Sequence, residues 1–279
     1  MLLHRNLISN SEKIVEAIKL LRSFGGRTSV MKFAKRFANI SSKDQAQQFA
    51  EELSGKDPRI VVKDGFIEYI PLEKRNYILS ESSFVVLDIE ATDSKFPPGR
   101  ILEIGAYKIK NRQIIGKFHS LVNPQTPVPK FIKELTGISD EMVEKSPVFE
   151  QLISDFLEFL DDSILVAHNT RFDVRLLNYE IGRTYESYQL LNPSLCTVQL
   201  SRKLITGLEN YRLKTIANYY SIEIENLHRA DDDSYATARI FMNLLSELEN
   251  LGIKDLEGIK KLKNLKESNA TIGNSSAIG

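Results

Sequence analysis

Asp88 and Glu90 stand two residues apart at the end of the apolar run Phe84-Val85-Val86-Leu87. Side chains alternate along an extended strand, so both carboxylates point to one face. A buried, unpaired carboxylate is costly, so this pair requires either a basic partner or a cation. A second acidic position follows Ile164-Leu165-Val166-Ala167-His168: Asp173 falls in the first turn of the next helical pattern. That is the carboxyl end of a strand, where open α/β sheets place their ligands. A third is His228-Arg229-Ala230-Asp231-Asp232-Asp233, with His228 in a loop and Asp233 in the opening turn of a long helical pattern. Hard divalent cations take oxygen ligands, and clustered carboxylates raise one another's pKa unless a cation compensates. Histidine titrates near neutral pH and suits acid–base work.

Bringing three such distant segments together requires a particular scaffold. From Phe84 onward, strand patterns alternate with helical ones, which signals an α/β domain. Strands are expected at 84–89, 101–109, 113–122, 163–168 and near 194–197, and helices at 147–160, 170–182, 197–206, 212–220 and 231–248. Upstream, Ile14, Ala17, Ile18 and Leu21 have helical spacing, repeated by Val30, Phe33, Ala34 and Phe37 and by Ala46, Phe49, Ala50 and Leu53. Thr28 and Ser29 are candidate caps, and Ser42 with Gln45 has capping-box spacing. Lys63-Asp64-Gly65 between two apolar runs is a hairpin signal. Three short helices and a hairpin resemble a winged-helix module.

The third of those helices, Ser42 to Ser54, carries Lys43 but also Asp44, Glu51 and Glu52. It would neutralise phosphates poorly. Lys32, Lys35 and Arg36 lie on the second helix instead, so duplex binding and protein docking both stay open. The expected organisation is a winged-helix-like domain over 1–71, a linker over 72–82, an α/β domain over 83–250, and a helix remnant with a disordered tail over 251–279.

Composition narrows the class. With 42% hydrophobic and 27% charged residues, the 279-residue chain reads as soluble and globular. No apolar stretch approaches the ~18 residues of a membrane span, and the N-terminus lacks a signal-peptide core. A single cysteine, Cys196, excludes an intramolecular disulfide and fits a reducing cytoplasm. Net charge is zero, which argues against a nonspecific duplex coat. Residues 1–80 hold 14 Lys/Arg against 9 Asp/Glu; the remainder hold 23 against 28.

Taken in order, Asp88-Ile89-Glu90-Ala91-Thr92, then His168-Asn169 with Phe172-Asp173, then His228 with Asp233 five residues on, resemble the DEDDh (DnaQ-like) 3′→5′ exonuclease family. That family includes the epsilon proofreading subunit of bacterial DNA polymerase III. The similarity covers about 83–248 and includes Ile101-Leu102-Glu103-Ile104-Gly105-Ala106, Leu135-Thr136-Gly137-Ile138 and Tyr211-Arg212-Leu213. It implies a ribonuclease H-like fold, a mixed five-stranded sheet flanked by helices. It also implies that Asp88, Glu90, Asp173 and Asp233 hold two Mg²⁺ or Mn²⁺ ions. Two such ions, about 3.5–4 Å apart, stabilise the attacking and leaving oxygens of a phosphodiester displacement.

By the same resemblance, His228 is the general base. A sister subfamily uses a tyrosine four residues before its last aspartate, where this chain has Arg229. Ala91 and Thr92 would face the 3′-terminal nucleotide, and Asn169 would orient substrate or cap its helix. Asp93 departs from the glycine that many relatives carry after the threonine. The implied activity is release of nucleoside 5′-monophosphates from 3′ ends of single-stranded or frayed DNA, in proofreading or repair. A 3′ exoribonuclease and a non-catalytic nucleic-acid or polymerase-docking protein are the alternatives. Proofreading would need a partner chain, with the N-terminal domain as its docking point; no membrane partner is expected.

The remaining polar residues have plainer readings. His168 is expected to be structural, His4 and His119 incidental, and Cys196 a small core residue. Asp231 and Asp232 are expected to be a solvated helix start, and Lys260 to Lys263 a solvated face.

Overall fold

A computed structural model describes residues 4–93 and 99–262. They cluster into two compact units, one of residues up to 75 with 178–192, the other of 76–177 with those from 193 on.

The first unit opens with strand β1 (Leu7–Ser9), helix α1 (Glu12–Ser23), strand β2 (Arg27–Ser29), and helices α2 (Val30–Ala38) and α3 (Lys43–Lys56). Strands β3 (Ile60–Lys63) and β4 (Phe66–Tyr69) follow. The three apolar stripes read from the sequence converge: Ile14, Leu21, Phe33, Ala46, Ala50 and Leu53 are fully buried with Ile60 and Ile67. Asp64 and Gly65 both take positive φ, 51° and 75°, which matches the twist of the β3–β4 hairpin. β2 adds to β4, giving the order β2-β4-β3. Ser29 caps α2 through the Lys32 N–H at 3.3 Å. Ser42 precedes α3 without a side-chain cap bond, so the expected capping box does not form.

In the second unit, β5 (Phe84–Ala91) lies at the centre of a five-stranded mixed sheet. On one side it runs antiparallel to β6 (Ile101–Lys110), which pairs antiparallel with β7 (Gln113–Leu121). On the other it runs parallel to β8 (Ile164–Ala167), with β10 (Ser194–Cys196) parallel beyond it. The order is β10-β8-β5-β6-β7. The helices are α4 (Lys130–Thr136), α5 (Asp140–Glu144), α6 (Phe149–Leu160), α7 (Thr170–Thr184, of which the residues from 178 on count with the first unit), α8 (Thr197–Leu204), α9 (Leu213–Tyr219), α10 (Ala230–Asn250) and α11 (Leu256–Lys261). Strand β9 (Tyr188–Leu190), beyond α7, pairs antiparallel with β1 and belongs to the first unit.

α10 packs along β5 and β6 because Asp233, Thr237, Ile240, Phe241, Leu244 and Leu248 recur at helical spacing and are buried. Phe241 meets Phe84 edge-on at 5.0 Å between ring centres. Burying such a side chain contributes about 1.5–3 kcal/mol. The same face that supplies this apolar contact fixes Asp233 one turn into the helix.

Several short elements were not expected: β1, β2 and β9 have three residues each, and α4 and α5 seven and five. Such lengths are too brief for periodicity to register. Residues 76–82, read as linker, pack on α11's approach instead. Tyr77 O accepts from Leu256 N–H at 3.1 Å and Leu79 N–H donates to Lys254 O at 2.8 Å. The tail expected to be disordered from Glu267 lies outside the described residues. Among the described residues, no helix is long and apolar enough to cross a membrane.

Candidate functional site

β5 ends the way its sequence requires: Phe84 to Leu87 are buried, while Asp88 and Glu90 keep partial exposure at the carboxyl edge of the sheet. A bulge follows, where Leu102 is the extra residue between the pairs Glu90–Glu103 and Ala91–Ile101. Asp173 is buried in the first turn of α7. Its carboxylate accepts the backbone N–H of Ile89, which ties this helix start to β5. Asp233, in the first turn of α10, is also buried.

Ligand atoms of Glu90, His228 and Asp233 lie within 4.8 Å of one another. Asp88 and Asp173 adjoin that group. Burial pushes Asp88 well above its ordinary range, reinforced by the charges of Asp173, Glu90 and Asp233. Burial also raises Glu90 to about 7, with help from Asp233 and Glu103, and Asp173 to about 7. Asp233 is raised by burial to about 6. One pKa unit corresponds to about 1.4 kcal/mol, so ionising Glu90 alone carries a penalty of order 3 kcal/mol. A cation would relieve all four at once. Asp233 is positioned for one: its Oδ2 accepts the His228 N–H at 3.0 Å, while its buried Oδ1 has no hydrogen-bond partner. Four oxygen-donor side chains and an unsatisfied buried oxygen fit hard divalent ions.

His228 sits exposed in the loop before α10 with φ of 64°, a left-handed conformation uncommon outside glycine that histidine adopts more readily than most residues. Asn169 also has positive φ, 82°, and its carbonyl accepts the Phe172 N–H at 3.1 Å, opening α7. Thr92 is buried, and its hydroxyl accepts the Arg100 N–H at 2.8 Å while its own N–H donates to Arg100 O at 2.9 Å. It closes the stem of the loop that Asp93 enters. Residues 94–98 of that loop lie outside the described residues. Ala91 is buried beside it.

Sequence reasoning missed what holds the third segment. Glu103, fully buried on β6, accepts from Arg229 Nε at 3.0 Å and Nη2 at 2.7 Å, from Ala230 N–H at 3.0 Å, and meets His119 Nε2 at 2.8 Å. Burial opposes its ionisation, but these partners outweigh it and hold Glu103 below its ordinary pKa. His119 is therefore not incidental. Gly105, two residues on, touches the helix start so closely that a Cβ would run into the Ala230 carbonyl. Asp231 is not simply solvated: Tyr107 and Lys117 each bond its carboxylate at 2.7 Å. The available signal was a lone carboxylate inside the apolar run Ile101 to Ala106.

His168 is structural, as expected: Nδ1 meets Thr197 Oγ1 at 2.9 Å, and burial lowers its pKa to about 4. Cys196 is half-buried on an edge strand rather than a core residue.

Residues 85–241 match the family model described as exonuclease, RNase_T. The chain belongs to that exonuclease family. Among similar proteins, the DNA polymerase III subunit epsilon of Aquifex aeolicus is 37% identical over 193 residues, which is 69% of this chain and 95% of the relative. A PolC-type DNA polymerase III of Caldanaerobacter subterraneus subsp. tengcongensis is 42% identical over 185 residues, 65% of this chain. The aligned stretch spans only 13% of that PolC-type relative's length. The nuclease domain of 3′hExo, a DEDDh family member solved bound to rAMP, aligns with a TM-score of 0.52 at 17% identity, over 61% of this chain and 95% of that one. That likeness concerns the fold, a ribonuclease H-like mixed sheet like the one described above. Divalent-metal dependence goes with membership of this exonuclease group.

Proposed function

We propose that this chain is a 3′→5′ exonuclease that removes nucleoside 5′-monophosphates from single-stranded or frayed DNA ends, in proofreading or repair. One observation carries the reading: carboxylates from β5, α7 and α10 converge with His228, and the buried Oδ1 of Asp233 is left for a ligand. Asp88, Glu90, Asp173 and Asp233 would hold two Mg²⁺ or Mn²⁺ ions. When bound, those ions supply charge stabilisation to the attacking and leaving oxygens.

The chain's own groups do the rest. The imidazole nitrogen of His228 that lies near Glu90 and Asp233 accepts a proton from the attacking water. The water oxygen bonds to phosphorus, and the bond from phosphorus to the 3′ oxygen of the preceding nucleotide breaks. That oxygen takes up a proton as the new 3′-hydroxyl. Arg229 cannot take the base's part, because a guanidinium stays protonated and has no acceptor, and Glu103 engages it as a donor. Ala91 and Thr92, beside the β5 bulge, would support the terminal nucleotide, and Asn169 would line the opposite wall.

DNA is favoured over RNA because the sequence relatives are DNA polymerase III chains. The basic second helix and the hairpin of the first unit support a winged-helix-like docking module for a polymerase or another protein. The lone cysteine suits a cytoplasmic setting. Matched 3′-labelled DNA and RNA oligomers, incubated with Mg²⁺ and with EDTA, test the reading. Metal-dependent loss of the DNA label is expected; faster loss of RNA, or degradation that persists in EDTA, would overturn it.

A further inference from the structure

Glu103 is the one carboxylate of this neighbourhood, among the described residues, that is fully buried and also fully partnered. It faces Glu90 across the β5–β6 pair, so it adds negative charge next to a site already crowded with it. A residue that only lined the core would not be charged here. Its partners give the reason. Two of its bonds take the Arg229 guanidinium bidentately, a geometry that fixes orientation as well as charge. A third takes the Ala230 N–H, the first residue of α10. Both lie between His228 and Asp233. Gly105 lets the same helix start press against β6.

Arg229 also lies close enough to Glu90 to act on its charge. Released from Glu103, the guanidinium would be left to the other carboxylates whose charges act on it, Asp231, Asp232 and, in the metal site, Glu90. At Glu90 it would compete with a divalent ion for the same oxygens.

We propose that Glu103 is a positioning residue with two effects: it pins the start of α10 so that His228 and Asp233 face Glu90, and it keeps Arg229 away from the metal-binding carboxylates. This rests on the exonuclease reading, since it assigns Glu103 a part in preparing the proposed metal site.

Binding of Mn²⁺ to the full chain, followed by the electron paramagnetic resonance signal of free Mn²⁺, tests it without any turnover. The variants are Glu103→Gln, Glu103→Ala and Glu103→Ala with Arg229→Ala, each checked by thermal unfolding. Residues behind metal ligands typically change metal affinity by about 10–100-fold. Glu103→Ala is expected to weaken Mn²⁺ binding by that factor, and removing Arg229 as well is expected to restore part of it. If Glu103→Ala does not fold, Glu103→Gln carries the test, because it keeps the volume and one acceptor oxygen. Glu103 variants that fold and bind Mn²⁺ as tightly as the wild type overturn the proposal. A double variant no better than Glu103→Ala overturns the part concerning Arg229. Wild-type chain that binds no Mn²⁺ overturns the exonuclease reading itself, a separate result.

Discussion

The backbone N–H of His228 donates to Oδ2 of Asp233 at 3.0 Å, closing the turn over residues 228–233 between the proposed base and the last carboxylate. This bond ties the loop backbone at His228 to the Asp233 carboxylate. Replacing the imidazole leaves the backbone donor in place, so the loop should survive His228→Ala. Turnover should then fall by ~10²–10⁴-fold, the usual contribution of a general base, with KM for a single-stranded oligomer little changed. Steady-state kinetics on a 3′-labelled substrate check this. A raised KM at unchanged kcat would assign His228 to binding instead.

The raised carboxylates predict a pH dependence of the metal-free chain. Glu90 and Asp173 are pushed to about 7 and Asp233 to about 6, against ordinary values near 4 in the unfolded chain. Between those limits the folded state holds protons that the unfolded state has lost, so rising pH favours unfolding. Stability from these groups is present below about pH 4 and is lost as pH climbs to about 7. In EDTA the unfolding temperature should therefore fall from about pH 5 to pH 8, and Mn²⁺ should flatten the decline. Glu90→Gln should make the slope in EDTA shallower. A flat profile in EDTA would show that these charges are relieved some other way.

Gly105 admits no side chain against the Ala230 carbonyl. Gly105→Ala should push the start of α10 off β6, costing about 1–3 kcal/mol as overpacking does. It should also reduce kcat more than ten-fold (about 1.4 kcal/mol in the barrier), because His228 and Asp233 flank the displaced residue. Denaturant unfolding and kinetics measure the two effects separately. A stable variant with normal turnover would mean that the helix start tolerates the shift.

Asp231 and Asp232 are neighbours with different surroundings. Asp231 takes hydrogen bonds from Tyr107 and Lys117, whereas Asp232 takes one from exposed Asn226. Asp231→Ala should destabilise by about 1–3 kcal/mol, partly by stranding the Tyr107 hydroxyl. Asp232→Ala should stay within about 0.5 kcal/mol of the wild type. Urea unfolding of both compares them directly; equal effects would return Asp231 to a solvated role.

The parts of the site that were legible in the sequence are those written in short-range pattern. Val85, Val86 and Leu87 mark a central strand, and Asp88 and Glu90 share its face because alternation is local. Asp173 was legible from its place after the carboxyl end of a strand, and Asp233 from its five-residue offset from His228, which the family resemblance picks out. The Asp64-Gly65 hairpin was legible because its turn type demands positive φ. Glu103 was not, since its meaning lies in Arg229 and Ala230, more than 120 residues away. The pairing of Leu7–Ser9 with Tyr188–Leu190 was equally hidden: three residues carry no period, and their partners are set by tertiary contacts. Asp231 looked solvated because nothing local announces Tyr107 or Lys117.

The most direct test of the account is product analysis on 3′-labelled single-stranded DNA with Mn²⁺, comparing wild type with Asp88→Ala. Asp88 sits where burial and four neighbouring carboxylates all oppose its charge, so the metal-free variant should be no less stable than the wild type. The account predicts nucleoside 5′-monophosphates released one at a time from the 3′ end by the wild type and none by Asp88→Ala. Monophosphate release by folded Asp88→Ala at the wild-type rate would contradict it.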